Sequence, residues 1–202
     1  MKKIILATGN PHKVEEIRRM LHHLPLEIRT IGDYPGLVMP EEDQDTFADN
    51  AVKKAEAVSH FTGHPAMADD SGLEVEALGG RPGIYSARYA GADGDYLANN
   101  RLLLKELQGI PTGRRNGRFV CAIAVAVPGD QTYVVEESCP GRIAEKPDGV
   151  EGFGYDPLFI YEPKGITFAR MSPEEKNSIS HRGRALRRAV KLLRQLLEQG
   201  SL

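Results

Sequence analysis

"KIILATGNPHKVEEIRRMLHHLPLEIRTI", residues 3–31, decides the fold class. Its opening, "KIILAT" (3–8), is a continuous apolar run of the kind that suits a strand buried on both faces. Asn10 then suits a helix N-cap and Pro11 the first helical position. Val14, Ile17, Leu21 and Leu24 recur as a helical stripe, and "LEIRTI" (26–31) predicts a second strand. Strand, helix and strand in close succession point to an α/β protein.

Working outward, "GDYPGLVMPEED" (32–43) reads as a turn-rich loop and "DTFADNAVKKAEAVSHF" (45–61) as an amphipathic helix. "PAMAD" (65–69) predicts a third buried strand, followed by a glycine-rich loop at 79–91 and a helix over 96–107. "GRFVCAIAVAV" and "TYVVEESCPGRIA" predict a long hairpin turning at Pro128-Gly129-Asp130. "GYDPLFIY" (154–161) predicts another strand, and residues 180–199 a helix with Leu186, Ala189, Val190, Leu193 and Leu197 on one face. The expectation is one α/β domain over 1–202. Its two lobes surround a central mixed β-sheet, with an active-site cleft between them.

The 202 residues suffice for such a domain, and their net charge of −2 argues against large-scale electrostatic binding to nucleic acid. A small anionic ligand needs only a local basic pocket. Cys121 and Cys139 have neither metal-ligand spacing nor the look of a disulfide framework. The apolar start is too short for a signal segment, and "CAIAVAV" is too short to span a bilayer. A cytoplasmic protein with no membrane or nucleic-acid partner is expected.

Four groups of residues carry chemistry. In "ATGNPHK" (7–13) a strand feeds a glycine turn and a helix whose first turn holds Lys13, an arrangement that favours a phosphate. The alternative is an ordinary strand-to-helix turn with a surface lysine. On the 45–61 helix, Phe47, Ala51, Ala55, Val58 and Phe61 share a face. Lys54 falls in its middle and Asn50 at its edge. Lys54 either snorkels along its neighbours or reaches with Asn50 toward an anion.

"AMADDSGLEV" (66–75) ends a buried run in Asp69 and Asp70, and neighbouring residues of a strand point to opposite faces. One carboxylate can serve a site while the other caps the Ser71-Gly72 turn, or Asp70 is simply an Asx-turn. Two carboxylates, the second from Glu41-Glu42-Asp43, plus phosphate oxygens would suit Mg²⁺. Finally, Ser180 looks like the N-cap of the last helix, so His181 and Arg182 lie in its first turn against the dipole. A purely structural helix start must tolerate that misfit, whereas bound electron-rich ligand atoms would offset it. Phe153 and Tyr155, flanked by glycines, offer a ring on which a planar base can stack.

Taken together, "ATGNPHK", "TFADNAVKKA", "ADDSGLEVEALGGRPGIYSARYAG", "GFGYDPLF" and "EEKNSISHRGRAL" resemble the inosine/xanthosine triphosphate pyrophosphatases, the HAM1-like family of nucleotide house-cleaning enzymes. The motifs occur in the family's order from the first strand to the last helix. The resemblance implies hydrolysis of non-standard purine nucleoside triphosphates (XTP, ITP, dITP) to monophosphate and pyrophosphate, Mg²⁺ as cofactor, and a homodimer. It implies that Thr8, Gly9, Asn10 and Lys13 form the phosphate turn and that Glu42 and Asp70 bind metal. Asp70 would also be the proton acceptor, and Ser71 a substrate contact. Phe153, Gly154, Tyr155, Asp156, Lys176, His181 and Arg182 match the base-recognition set, while Asn50 and Lys54 match positions facing the phosphates. Two positions depart from the family pattern: Asp49 stands where glutamate is commoner, and "EEDQDTF" lacks a glycine before Thr-Phe. The Maf-like pyrophosphatases open differently, with serine-proline-arginine-arginine. A non-hydrolysing nucleotide sensor need not keep a carboxylate such as Asp70.

Overall fold

The computed structural model describes residues 2–92 and 94–202. Strand β1 (Lys2–Leu6) leads into helix α1 (Pro11–Leu21) and strand β2 (Leu26–Thr30), as the opening stretch predicts. β1 pairs in parallel with β2, Ile4 opposite Ile28, and on its other side with β3 (Ala66–Val75), Ile5 opposite Ala66. Between β2 and β3 runs α2 (Phe47–Thr62). Then come α3 (Tyr96–Glu106), β4 (Asn116–Ala126), β5 (Thr132–Ile143), β6 (Phe159–Tyr161), β7 (Ile166–Thr167), α4 (Pro173–Ile179) and α5 (His181–Gln199). The strands order as β2-β1-β3-β4-β5-β6-β7. Parallel pairs at one end and antiparallel β5–β6–β7 pairs at the other make the sheet mixed. The fold is α/β.

The chain divides into two compact units. The first comprises Met1–Asp70, Cys121–Glu136 and Ala185–Leu202. Its core joins Leu6, Leu21, Met67, Ile123, Leu186 and Leu193. The apolar stripe of α5 is buried there as expected, with Leu197 packed at its edge. The second unit comprises Ser71–Val120 and Glu137–Arg184, and its core is aromatic. Phe119 stacks on Phe168 with centroids 5.9 Å apart and tilts against Phe159 at 4.6 Å. Apolar burial of this kind contributes about 25 cal/mol per Å² and is the main force holding each unit.

The expected elements differ from the structure at several places. β3 does not end at Asp69 but runs on to Val75, so Asp70, Ser71 and Gly72 are strand rather than turn. The strand expected over 154–161 shrinks to β6, because the Leu158 and Phe159 amides both donate to the Tyr155 carbonyl and wind 155–158 into a turn. Phe61 is about half exposed, since α2 stops one residue later and Gly63 closes it in the left-handed region. β7 and α4 were not expected.

Candidate active site

In the first unit, three acids meet two lysines. Lys54, buried on α2, donates to Glu42 Oε1 at 2.5 Å and to the Asp69 carbonyl at 2.8 Å, and lies 3.5 Å from Asp70 Oδ1. Lys13, from the first turn of α1, pairs with Asp69 Oδ2 at 3.0 Å. The two aspartates thus do different jobs, and the Ser71-Gly72 stretch expected as a turn is strand. Burial would strip the Lys54 ammonium of its proton, but Asp70, Glu42 and Asp69 more than offset it and its pKa is raised. Burial pushes the Asp70 carboxyl up to about 6; Lys54 and Lys13 pull it down, Glu42 and Asp69 push it further up. An acid poised near neutrality among cations is suited to proton transfer.

The turn before α1 is internally braced. Thr8 Oγ1 accepts from the Asn10 amide at 3.2 Å, and Asn10 Oδ1 accepts from the His12 and Lys13 amides at 3.0 and 3.4 Å. Gly9 leaves its Cβ position open except for the Ile31 methyl at 3.6 Å. Beside the turn opens a cavity of about 580 Å³ whose lining includes Thr8, Gly9, Arg18 and Ile31.

Asn50 departs from expectation. Both ends of its buried amide are used on the Gln44 backbone, accepting from its N–H at 3.1 Å and donating to its carbonyl at 3.3 Å. It therefore holds the loop that carries Glu42 instead of reaching for an anion itself. Lys53 braces the same loop through Asp43 at 2.6 Å. Asp49 is spent on the α2 N-cap, bonded both ways to Thr46, so its shortened side chain does not bear on Glu42. Among the described residues no group of three or more His, Cys, Asp or Glu gathers as a metal cage.

In the second unit, the residues expected to recognise the base form one network. Asp156 Oδ2 accepts from the Phe153 amide at 2.8 Å and from Lys176 Nζ at 2.5 Å. Lys176 Nζ and Arg182 Cζ lie 4.8 and 5.4 Å from the centroid of the half-buried Phe153 ring. Arg182 Nη2 donates to Ser71 Oγ at 2.7 Å. His181 stacks on Phe119 at 4.6 Å and 14°. Ser180 Oγ accepts from the Gly183 amide, as its reading as an N-cap requires. Tyr155 does not offer a ring: it is buried and its hydroxyl donates to the Ser86 carbonyl at 2.9 Å. Phe153 alone fits the stacking role, ringed by donors that suit an electron-rich heterocycle.

Two glycines explain why these motifs have the form they do. A Cβ on Gly152, at φ +77°, would sit 2.0 Å from Asp156 Oδ2, and one on Gly183 would sit 1.8 Å from the Asn177 carbonyl. Sequence reasoning missed Gly183, Phe119 and the α3 asparagines. A glycine in the first turn of an otherwise helical run, where it weakens the helix, was the available signal for the first.

The Ham1 family model matches residues 4–192. The chain belongs to the Ham1 family. Every site residue from Thr8 to Arg182 falls inside that match. The dITP/XTP pyrophosphatase of Desulforamulus reducens is 50% identical over 194 residues, covering 96% of each chain. That of Bacillus subtilis is 47% identical over 96% of this chain and 98% of its own. Among solved structures, the Staphylococcus aureus Ham1 protein is 36% identical with a TM-score of 0.88, covering 96% of this chain and 99% of the other. A HAM1 protein from Coxiella burnetii is 35% identical with a TM-score of 0.90, covering 96% and 100%. No helix among the described residues of this Ham1-family chain is long and apolar enough to cross a membrane.

Proposed function

We infer that this Ham1-family chain is a nucleoside-triphosphate pyrophosphatase. It cleaves the α–β phosphoanhydride of the non-standard purine nucleotides XTP, ITP and dITP, and so cleanses the nucleotide pool. The observation that carries the reading is Asp70, a buried carboxyl pushed up to about 6 beside Lys54 and Glu42. The curated relatives' names supply the substrate class.

In this reading, release of pyrophosphate places water attack at the α-phosphorus, and Asp70 accepts the proton that water loses. Lys13 and Lys54 neutralise charge on the triphosphate, while the braced Thr8–Lys13 turn orients it. Glu42 and Asp70 would hold Mg²⁺. They already bracket a cation, the Lys54 ammonium, and two carboxylates leave the remaining positions to phosphate oxygens and water, as that ion prefers. When bound, the ion supplies charge neutralisation and a more acidic water.

The base is read by the second unit's cluster. Hypoxanthine and xanthine stack on Phe153 and present a 6-oxo acceptor to donors from Arg182, His181 and Lys176. Adenine presents an amino donor to those donors, a mismatch that can reject an analogue by about 10⁴–10⁵ in a desolvated site. A homodimer in the cytoplasm is proposed with this activity, the dimer to be checked by light scattering.

The deciding measurement is pyrophosphate release from ITP, XTP, dITP, ATP, GTP and UTP, with and without Mg²⁺. Fast, Mg²⁺-dependent turnover of the first three is expected. Equal rates across the purines would remove the selectivity, and a preference for UTP would point to Maf-like chemistry. Nucleotide binding with no monophosphate formed would make the protein a sensor.

A further inference from the structure

α3 carries two consecutive buried asparagines. Asn99 is fully employed. Its Oδ1 accepts from the Ala90 amide at 2.7 Å, and its Nδ2 donates to the Ala87 and Ser86 carbonyls at 2.9 and 3.4 Å. That ties down the glycine-rich loop and explains the residue.

Asn100 has no such explanation. Its Nδ2 makes one bond, to the Gly154 carbonyl at 3.0 Å, and its Oδ1 is buried with no hydrogen-bond partner among the described residues. Only an NH₂ can face a carbonyl, so the amide orientation is dictated by Gly154. A buried acceptor without a donor weakens a fold, and an apolar residue of the same shape would avoid the loss. A residue kept at a cost to stability marks a place where the site, rather than the core, sets the choice.

The single bond lands on the base loop. Gly154, at φ +64°, sits between Phe153 and Tyr155. Asp156 holds the Phe153 amide and Ser86 holds the Tyr155 hydroxyl, while Asn100 holds the carbonyl that follows. One turn earlier on the same helix face, the Tyr96 ring lies 6.1 Å from the Phe153 ring. α3 therefore meets the loop twice, at the ring and at the carbonyl behind it.

We propose that Asn100 is a positioning residue: by gripping the Gly154 carbonyl it aims the Phe153 ring and so governs which purine is accepted. This rests on reading the 152–156 loop as the base-binding loop. Removing the grip loosens the ring without touching Asp70, so binding and selectivity change while the chemical step does not.

The chain contains no tryptophan, so Phe153→Trp places a sole tryptophan in the loop, excited at wavelengths where the seven tyrosines do not absorb. Asn100→Leu and Asn100→Ser are made alone and in that background. Both are expected to raise KM for ITP about tenfold with kcat held within about twofold. They should also lower the ITP-over-GTP ratio and increase acrylamide quenching of the introduced tryptophan. Asn100→Leu should keep or raise Tm. Unchanged KM and quenching in either folded variant would overturn the proposal. So would parallel losses of kcat and Tm in both, the signature of a purely structural residue. If the parent protein released no pyrophosphate from ITP, the proposed activity would fall. Quenching in the nucleotide-free protein would then decide the hold of Asn100 on the loop by itself.

Discussion

Lys54 Nζ lies 3.5 Å from Asp70 Oδ1, yet the Asp70 carboxyl is pushed up to about 6. A neighbouring ammonium ordinarily lowers a carboxyl's pKa. Here burial outweighs it, and the Glu42 carboxylate and the Asp69 backbone carbonyl share the same cation. Asp70→Asn, which mimics the neutral acid, should therefore stabilise the fold by about 1–3 kcal/mol at pH 7. Tm should rise by a few degrees. Pyrophosphate release should fall by about 10²–10⁴-fold or more. A variant with normal turnover would remove Asp70 from the proton-transfer role.

The same shift sets a pH dependence. The folded-state pKa of Asp70, about 6, lies above its unfolded value of about 3.9. Its contribution to stability is thus fully present below pH 4 and lost as pH rises through 6. The Tm gap between Asp70→Asn and the parent should be widest at pH 7 and above and close toward pH 4. Conversely, kcat/KM should fall on the acid side of about pH 6, as the base becomes protonated. Melting curves and rate profiles on the two proteins check both limbs.

Lys54→Met should move that acid limb upward by on the order of one pH unit, because Asp70 loses the cation that opposes its burial. A profile that stays in place would mean Lys54 does not set the charge state of Asp70.

How far the sequence predicted this site depends on the kind of signal. Lys54 was legible because helical periodicity places it unambiguously on the buried face of α2. The course of β3 was not. Asp-Asp-Ser-Gly has turn composition, and only pairing within the sheet makes it strand, a tertiary effect that overrides local preference. Asn50 shared the right face, but periodicity could not reveal that Gln44 would occupy its amide. α4 has too short an apolar pattern to register. Its capping box, Ser172 with Glu175, was the readable trace. The division of labour between Phe153 and Tyr155 follows from the turn at 155–158, whose readable trace was the Asp156-Pro157 pair.

Asp156 Oδ2 holds Lys176 Nζ at 2.5 Å, with both side chains buried. Asp156→Ala would leave that ammonium buried without its carboxylate, a change that typically costs about 3–5 kcal/mol. Tm should drop by roughly 6–20 °C. Asp156→Asn keeps an acceptor for the Phe153 amide and should lose less. Equal melting of both variants and the parent would show the pair to be energetically idle.

Gly183 tests whether the junction of α4 and α5 sets base recognition. A Cβ there would lie 1.8 Å from the Asn177 carbonyl, a backbone atom that cannot swing aside. Gly183→Ala must therefore push α4, which carries Lys176, away from the start of α5, which carries His181 and Arg182. Overpacking of this kind costs about 1–3 kcal/mol or more. Gly113→Ala is the control, since a Cβ there meets nothing within 4 Å. The Gly183 variant should melt several degrees lower and raise KM for ITP more than it lowers kcat, because Asp70 and Lys54 lie in the other unit. The Gly113 variant should match the parent in both. If Gly183→Ala instead lowered kcat alone, the α4–α5 junction would be serving the chemical step and the base would be read elsewhere.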